Sequence, residues 1–334
     1  VATSVRTTAG GGPPQTPSTP HRSAPPSKRS SWRSRLYRLD LKATPYAYIA
    51  PFFICFAAFG LFPLIYTGWI SLHHLELGQS GTGDWRGFDN YTRLWDSDQF
   101  WNALRNTFTM GVISTVPQLM MALGLAHLLN YQLRGRTFFR VAILAPYATS
   151  IAAASLVFVQ LFGYDAGFIN EVLGWFGIGK VDWQADKWPA QIAISTIVTW
   201  RWTGYNALIY LAAMQAVPGD LYEAASLDGA SRWRQFINVT IPSIRPTILF
   251  TIVVSTIGAT QLFGEPMLFG GGVGVTGGSA HQYQTLSLYM YELGWPNSQL
   301  GRAAAVAWVM LLLLLLVGAV QAVIARANRK KLGA

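Results

Sequence analysis

Charge is scarce in this sequence. Asp, Glu, Lys and Arg make up 12% of its 334 residues, where a soluble globular domain carries about 25%. That deficit, with 13 Trp and 18 Phe, points to lipid as the solvent around much of the chain. The single cysteine, Cys55, lies in an apolar run, which excludes a disulfide framework or a thiolate metal site within the chain. Catalytic groupings are missing as well. His73 and His74 are adjacent, so they cannot share a helix face at the i, i+4 spacing of a zinc pair, and an external interfacial position suits them. No nucleophile–base pair or paired carboxylates stand out, so no catalytic residue and no metal ligand is assigned, and no enzyme is expected.

Phosphate loops are absent too, despite two lookalikes. "GWFGIGKV" places Gly174, Gly179 and Lys180 at Walker A spacing, but Val181 stands where a Ser or Thr must hold magnesium. "GGVGVTGG" places Gly272, Gly274 and Gly277 at GxGxxG spacing, but it follows an apolar helix rather than a strand and reads as a flexible turn. The chain has no ATP site and no cofactor of its own on this reading.

What is present is apolar length. A membrane span needs about 20 mostly apolar residues, and six segments qualify: 47–71, 107–130, 139–162, 190–216, 246–269 and 301–325. Pro51, Pro63, Pro117 and Pro146 fall inside spans, where neighbouring helices can satisfy the freed carbonyls. The expected fold is an all-α membrane protein with six transmembrane helices over residues 46–326.

The net charge of +10 does not imply nucleic acid, because of where the cations lie. Residues 1–42 hold eight Lys/Arg and residues 326–331 four more. The N-tail, the connections 131–140 and 217–245 and the C-tail together hold 18 Lys/Arg and four acids. The other connections hold six Lys/Arg and ten acids. The positive-inside rule places both termini and the 217–245 connection in the cytoplasm, against an anionic leaflet of membrane lipid. The stretch 1–45 is a basic tail; its first 31 residues are rich in Pro, Ser, Thr and Gly and are expected to be disordered. The apolar run that follows is too late and too long for a signal peptide, so an uncleaved first helix is expected. Residues 327–334 form a second basic tail.

The 217–245 connection is too ordered for a plain loop. Pro218 ends a helix and Asp220 can cap a new one. "DLYEAASLD" makes about two turns, with Leu221, Ala224, Ala225 and Leu227 forming a compact apolar face. Gly229 either ends that helix or admits another backbone closely. Ser231 can cap a second helix, "RWRQFINVT", which is expected to stop before Pro242. Such a shape fits a docking surface or an amphipathic pair lying on the membrane.

Glu223-Ala224-Ala225, Gly229 and Val239-Thr240-Ile241-Pro242 together resemble the EAA loop of permease subunits of binding-protein-dependent ABC importers. "DGAS" and Trp233 resemble the sugar subgroup. The segments 86–108, 124–130, 138–150 and 301–308 look like those of maltose-type first permease subunits. "QLFGEPMLF" looks like actinobacterial permeases for cellobiose and related oligosaccharides. The resemblance implies the type I importer permease fold in a bacterial plasma membrane. It implies a second permease subunit, cytoplasmic ATPase subunits that bind ATP and Mg, and an extracellular substrate-binding lipoprotein. It implies that Glu223 and Asp228 make polar contacts with the ATPase, that Ala224, Ala225 and Gly229 allow close packing there, and that Pro242 closes the motif.

Sugars are held by aromatic faces and hydrogen-bonding side chains. The fourth span offers Trp200, Arg201, Trp202, Tyr205 and Asn206; the fifth offers Gln261, Phe263, Glu265 and Pro266. Arg201 and Glu265 are the only charges well inside spans. A charge there costs on the order of 3 kcal/mol and usually faces a cavity or a partner, so the two either line a substrate path or pair across it. No cluster of cations marks the path, which favours a neutral di- or oligosaccharide over phosphate or sulfate. The rival reading is a secondary transporter with no ATPase. Such proteins often show inverted repeats, and no clear correspondence between the two halves is present.

Overall fold

The computed structural model describes residue 44 and residues 46–332, apart from 80, 82, 132, 133 and 272–276. The expected disordered tail, Gly272, Gly274 and the last two residues lie outside the described residues. The chain divides into two units, Val1–Pro63 and Leu64–Ala334. Helix α1 runs Tyr46–Ser71. Ahead of Pro63 it widens into a π-turn at Ala57–Leu61, closed by the Phe62 N–H on the Ala57 carbonyl. A proline cannot supply an i−4 hydrogen bond, and such a turn is one way for the backbone to accommodate it.

The second unit is helical apart from one short hairpin, in which His73–His74 (β1) pairs antiparallel with Asp84–Trp85 (β2). His73 is buried, with Nδ1 2.7 Å from the Trp69 carbonyl and its ring stacked on Trp69. Asn90 fixes the strand by donating to the Ser71 and His73 carbonyls. The helices that follow are α2 (Asp89–Trp95), α3 (Asp98–Leu129), α4 (Arg136–Ala148), α5 (Ile151–Leu161), α6 (Phe168–Trp175) and α7 (Lys187–Gln215). Then come α8 (Gly219–Leu227), α9 (Arg232–Ser243), α10 (Arg245–Thr260), α11 (Gly264–Phe269), α12 (Leu286–Gly294) and α13 (Leu300–Leu332).

The central pair is α3 against α7, the most extensive helix contact in the chain. Small side chains let the two approach: Ala122 and Ala126 on α3, and Ala190, Ala193 and Ala207 on α7, are all fully buried. Close packing of small residues is how helices associate where lipid removes the hydrophobic drive between them. Toward one end of the pair, buried amides tie the helices to the segment before α12. Gln191 Nε2 donates to Asn106 Oδ1 and to the Gln282 carbonyl, and Asn106 Nδ2 donates to the His281 and Gln284 carbonyls. Tyr283 in that segment sits beside Phe269, and burial pushes its phenol up to about 12.

Three expectations about the spans change. Helices α1, α3 and Leu300–Ile324 of α13 are long and apolar enough to cross a membrane; counting each bent pair as one span raises the number to five. The expected third span is broken: α4 and α5 meet at 91°. Thr149 and Ser150 are extended, Pro146 lies in the last turn of α4, and the Ser150 hydroxyl caps α5 by accepting from Ala153 N–H. The expected fifth span also ends early, at Thr260, because three non-helical residues, 261–263, separate α10 from α11. Finally, Pro242 does not stop the loop helix. Phe236–Thr240 forms a π-turn ahead of it, α9 continues to Ser243, and a 69° bend at Ile244 leads into α10.

Candidate functional site

Two features stand apart from ordinary packing: a polar cavity inside the helices and an exposed helical loop. The cavity has a volume of about 680 Å³. It lies between α3, the α4–α5 break, α7, and the α10–α11 break. Pro266 lies outside the lining, but the cavity walls bring together Arg201, Trp202, Tyr205, Asn206, Gln261, Phe263 and Glu265, seven of the nine residues singled out from the sequence. Trp200 is not among them. It is 40% exposed and packs against Phe158 on another side of α7. At 100° per residue, Trp200 and Trp202 point in very different directions.

Arg201 and Glu265 form an ion pair, Nη1 to Oε1 at 2.8 Å, with the two residues 7% and 5% exposed. Arg201 Nη2 also lies 3.5 Å from the Thr149 carbonyl, which is free because the chain is broken there. The guanidinium therefore ties α7 to both helix breaks. Its Nε is buried without a partner. Beside the pair is an aromatic group: Tyr147 stacks on Tyr205 with ring centres 4.8 Å apart, and Trp202 meets both edge-on at 5.2 and 5.8 Å. Tyr147, Ser114 and Gln118 line the cavity and were not singled out from the sequence. For Tyr147 a signal existed, an aromatic next to a mid-span proline; Ser114 and Gln118 lie among apolar residues with nothing to mark them.

Helix α7 can approach α4 closely because residue 204 is glycine. A Cβ there would lie 1.6 Å from the Ile143 carbonyl oxygen. This close approach puts Tyr147 within reach of Tyr205, one residue past Gly204.

The loop is α8, Gly229 and α9. Helix α8 starts at Gly219 with Pro218 at its cap position, so Asp220 sits in the first turn and is not the cap. Its acidic side chain still suits that end of the helix dipole. Gly229 has φ +74°; its N–H reaches the Ser226 carbonyl and the Ala230 N–H reaches Ala225, both about 3 Å away. This double bond is a Schellman stop, which calls for a left-handed residue. A Cβ at Gly229 would meet nothing within 4 Å. Ending the helix is thus the role the described residues give this glycine. The Ser231 hydroxyl caps α9 by accepting from Arg234 N–H.

Glu223, Ala224, Asp228, Gly229 and Pro242 are all exposed, and Ala225 is half-buried. Leu221 and Leu227 are exposed as well, so the expected apolar face opens to solvent. The other side of the loop is braced. Gln235 Nε2 donates to Ser226 Oγ and the Ala230 carbonyl, Tyr222 Oη bonds Thr240 Oγ1 at 2.9 Å, and Arg232 lies over the Tyr131 ring. Phe236 is buried in the cluster formed by Ala122 and Ala126 of α3 and Tyr210, Leu211 and Met214 of α7.

Comparison with known proteins agrees with this arrangement. Residues 112–330 match the family described as "Binding-protein-dependent transport system inner membrane component". The lactose transport system permease protein LacF of Rhizobium radiobacter is 38% identical over 289 residues, covering 84% of this chain and 94% of that protein. The diacetylchitobiose uptake system permease protein NgcF of Streptomyces coelicolor is 30% identical over 251 residues, covering 69% and 70%. A crystal structure of a bacterial ABC transporter that imports the acidic polysaccharide alginate holds a chain with TM-score 0.74 and 25% identity, covering 88% of this chain and 99% of that one. With the family matched over residues 112–330 and LacF aligned over 94% of its length, the chain belongs to the binding-protein-dependent transport system inner membrane components.

Proposed function

We propose that this chain is one permease subunit of an ATP-driven importer of a di- or oligosaccharide, possessing the cavity around Trp202 and Arg201 as its half of the translocation path. On this reading six spans cross the bilayer, with α7 among them and both termini in the cytoplasm. A second permease completes the path, an external binding lipoprotein delivers the sugar, and ATP and Mg bind to separate ATPase subunits. The observation that carries the reading is the loop: α8 and α9 are braced on one side by Phe236 and on the other leave Leu221, Ala224 and Leu227 open. An apolar crest on rigid backing fits docking into a cleft on another protein. Glu223 and Asp228 flank that crest and would pair with polar groups of the cleft. The saccharide class is supported by the aromatic group of Tyr147, Trp202 and Tyr205 beside Asn206 and Gln261. It is also supported by the lactose and diacetylchitobiose named for the relatives; a cellobiose-like substrate is the specific proposal.

The test is reconstitution. The chain should co-purify with an ATPase subunit, and ATP hydrolysis should rise when the binding protein is loaded with sugar. Uptake driven by an ion gradient in the absence of any ATPase would overturn the reading.

A further inference from the structure

The cavity holds one cation and one anion, and they are spent on each other. Among the described lining residues Arg201 and Glu265 are the only charged side chains, and they meet at 2.8 Å. An arginine cannot shed its proton in a protein, so burial alone would leave a permanent positive charge facing the cavity. Glu265 cancels it. We propose that the Arg201–Glu265 pair is the charge filter of this cavity: it lets an uncharged glycan pass and turns away one that carries a carboxylate or sulfonate. The proposal rests on the saccharide reading above and adds to it the residue pair that sets the charge the substrate can carry.

The rest of the site is consistent with a filter that acts by charge rather than by fit. Arg201 Nη2 has only the Thr149 carbonyl at 3.5 Å, and Nε has no partner. With Glu265 neutral, the guanidinium would face the cavity with only uncharged oxygens for company. Guanidinium groups bind carboxylates in two-pronged fashion, so an acidic sugar would then find a ready site. A cavity of about 680 Å³ lies within the range that holds small ligands, and the stacked rings of Tyr147 and Tyr205 would remain to meet the sugar face. Removing one partner of a buried pair leaves the other uncompensated, which makes the switch in preference strong.

The experiment uses the complete importer in nanodiscs without its binding protein. The probes are cellobiose and its uronate, in which one terminal hydroxymethyl is oxidised to a carboxylate, read by saturation-transfer NMR. Wild type is expected to bind cellobiose at least as tightly as the uronate. Glu265→Gln, whose amide oxygen can still accept from Nη1, is expected to favour the uronate by tenfold or more. The double variant R201Q/E265Q should lose that gain, and the reversed pair R201E/E265R should return to the wild-type preference. A wild-type preference for the uronate, an E265Q variant with the wild-type ratio or with no binding of either sugar, or a gain that survives in R201Q/E265Q, would each overturn the filter. Failure of the saccharide reading shows elsewhere: no neutral oligosaccharide, presented by the binding protein, would raise ATP hydrolysis by the wild-type importer.

Discussion

Replacing Gly204 by alanine tests the tightest glycine contact among the described residues. The new Cβ would lie 1.6 Å from the Ile143 carbonyl oxygen and 2.6 Å from its carbon, while real contacts of this kind essentially never fall under 3.0 Å. The obstacle is backbone on both sides, so no side chain can swing away, and α4 must separate from α7 by about 1.4 Å. Overpacking of this sort costs about 1–3 kcal/mol. For a chain of this size that is a fall in thermal midpoint of roughly 2–4 °C per kcal/mol, hence about 5 °C for the middle of the range. The functional cost should be larger. Tyr147 on α4 stacks on Tyr205 at 4.8 Å, and the Thr149 carbonyl just past α4 meets Arg201, so the same shift opens the cavity wall. Sugar uptake is expected to fall at least about tenfold, on the scale at which misplacement of about 1 Å costs a site its activity. The assay pairs melting in detergent with uptake in proteoliposomes, using Gly318→Ala and Gly124→Ala as controls, since neither lines the cavity and a Cβ at either meets nothing within 4 Å. A Gly204→Ala protein that melts and transports like wild type would refute the close crossing of α4 and α7.

Gly229→Val places a β-branched residue at φ +74°, which costs roughly 1–2 kcal/mol in the left-handed region; sugar-stimulated ATP hydrolysis should drop sharply while membrane expression holds, and Gly229→Asn should fall between the two. Phe236→Ala removes a ring buried among Ala126, Tyr210 and Met214, and should lower stability by about 3–5 kcal/mol. Leu227→Ala, at a residue 90% exposed, should leave melting unchanged and weaken co-purification with the ATPase; unchanged co-purification would remove Leu227 from the docking crest. Asn170 donates to the Gly163, Tyr164 and Val181 carbonyls and accepts from Val181 N–H and Trp183 Nε1, so Asn170→Ala should make the 163–183 connection sensitive to protease added on the side that the proposed orientation makes external, a result read by cleavage in sealed vesicles.

Where the sequence misled, backbone breaks were responsible. Apolar length marks 139–162 as one span, because hydropathy sums over a window and does not see direction. The 91° turn at Thr149 depends on a serine cap and on a proline three residues before Thr149, both common inside spans that do not break. The same holds at Pro242, where the expected stop is overridden by a π-turn that absorbs the missing N–H. Charges were easier to read. Two ionised side chains inside apolar runs need each other or a cavity, and Arg201 and Glu265 have both. Their choice between pairing and lining could not be made from the sequence, because 64 positions separate them and only the fold sets the distance. For Gly229 the place after "EAASLD" offers two readings, a helix stop or a close backbone approach, and the left-handed φ selects the stop among the described residues; Gly204 offers neither, since nothing local reveals that Ile143 lies against it.

The breaks also bear on how the loop and the cavity could act together. Arg201 and three of the residues clustered with Phe236, Tyr210, Leu211 and Met214, are on one helix, α7, and from Arg201 to Met214 that helix spans about 20 Å at 1.5 Å per residue. It runs unbroken from Lys187 to Gln215, and Pro189 in its first turn is its only proline. Two of the other walls are different, though α3 is continuous: α4 and α5 part at Thr149, and α10 and α11 part at 261–263. Tyr210 Oη bonds Thr251 Oγ1 at 2.5 Å, tying α7 to α10 between the loop and the cavity. A stiff element bounded by broken ones concentrates movement at the breaks, which are loop-like positions able to absorb φ/ψ change. Under the proposed coupling, a push on α8 and α9 through Phe236 would move α7 as a rod. The strain would then appear where Arg201 meets Thr149 and Glu265, the two contacts by which the rod holds both breaks.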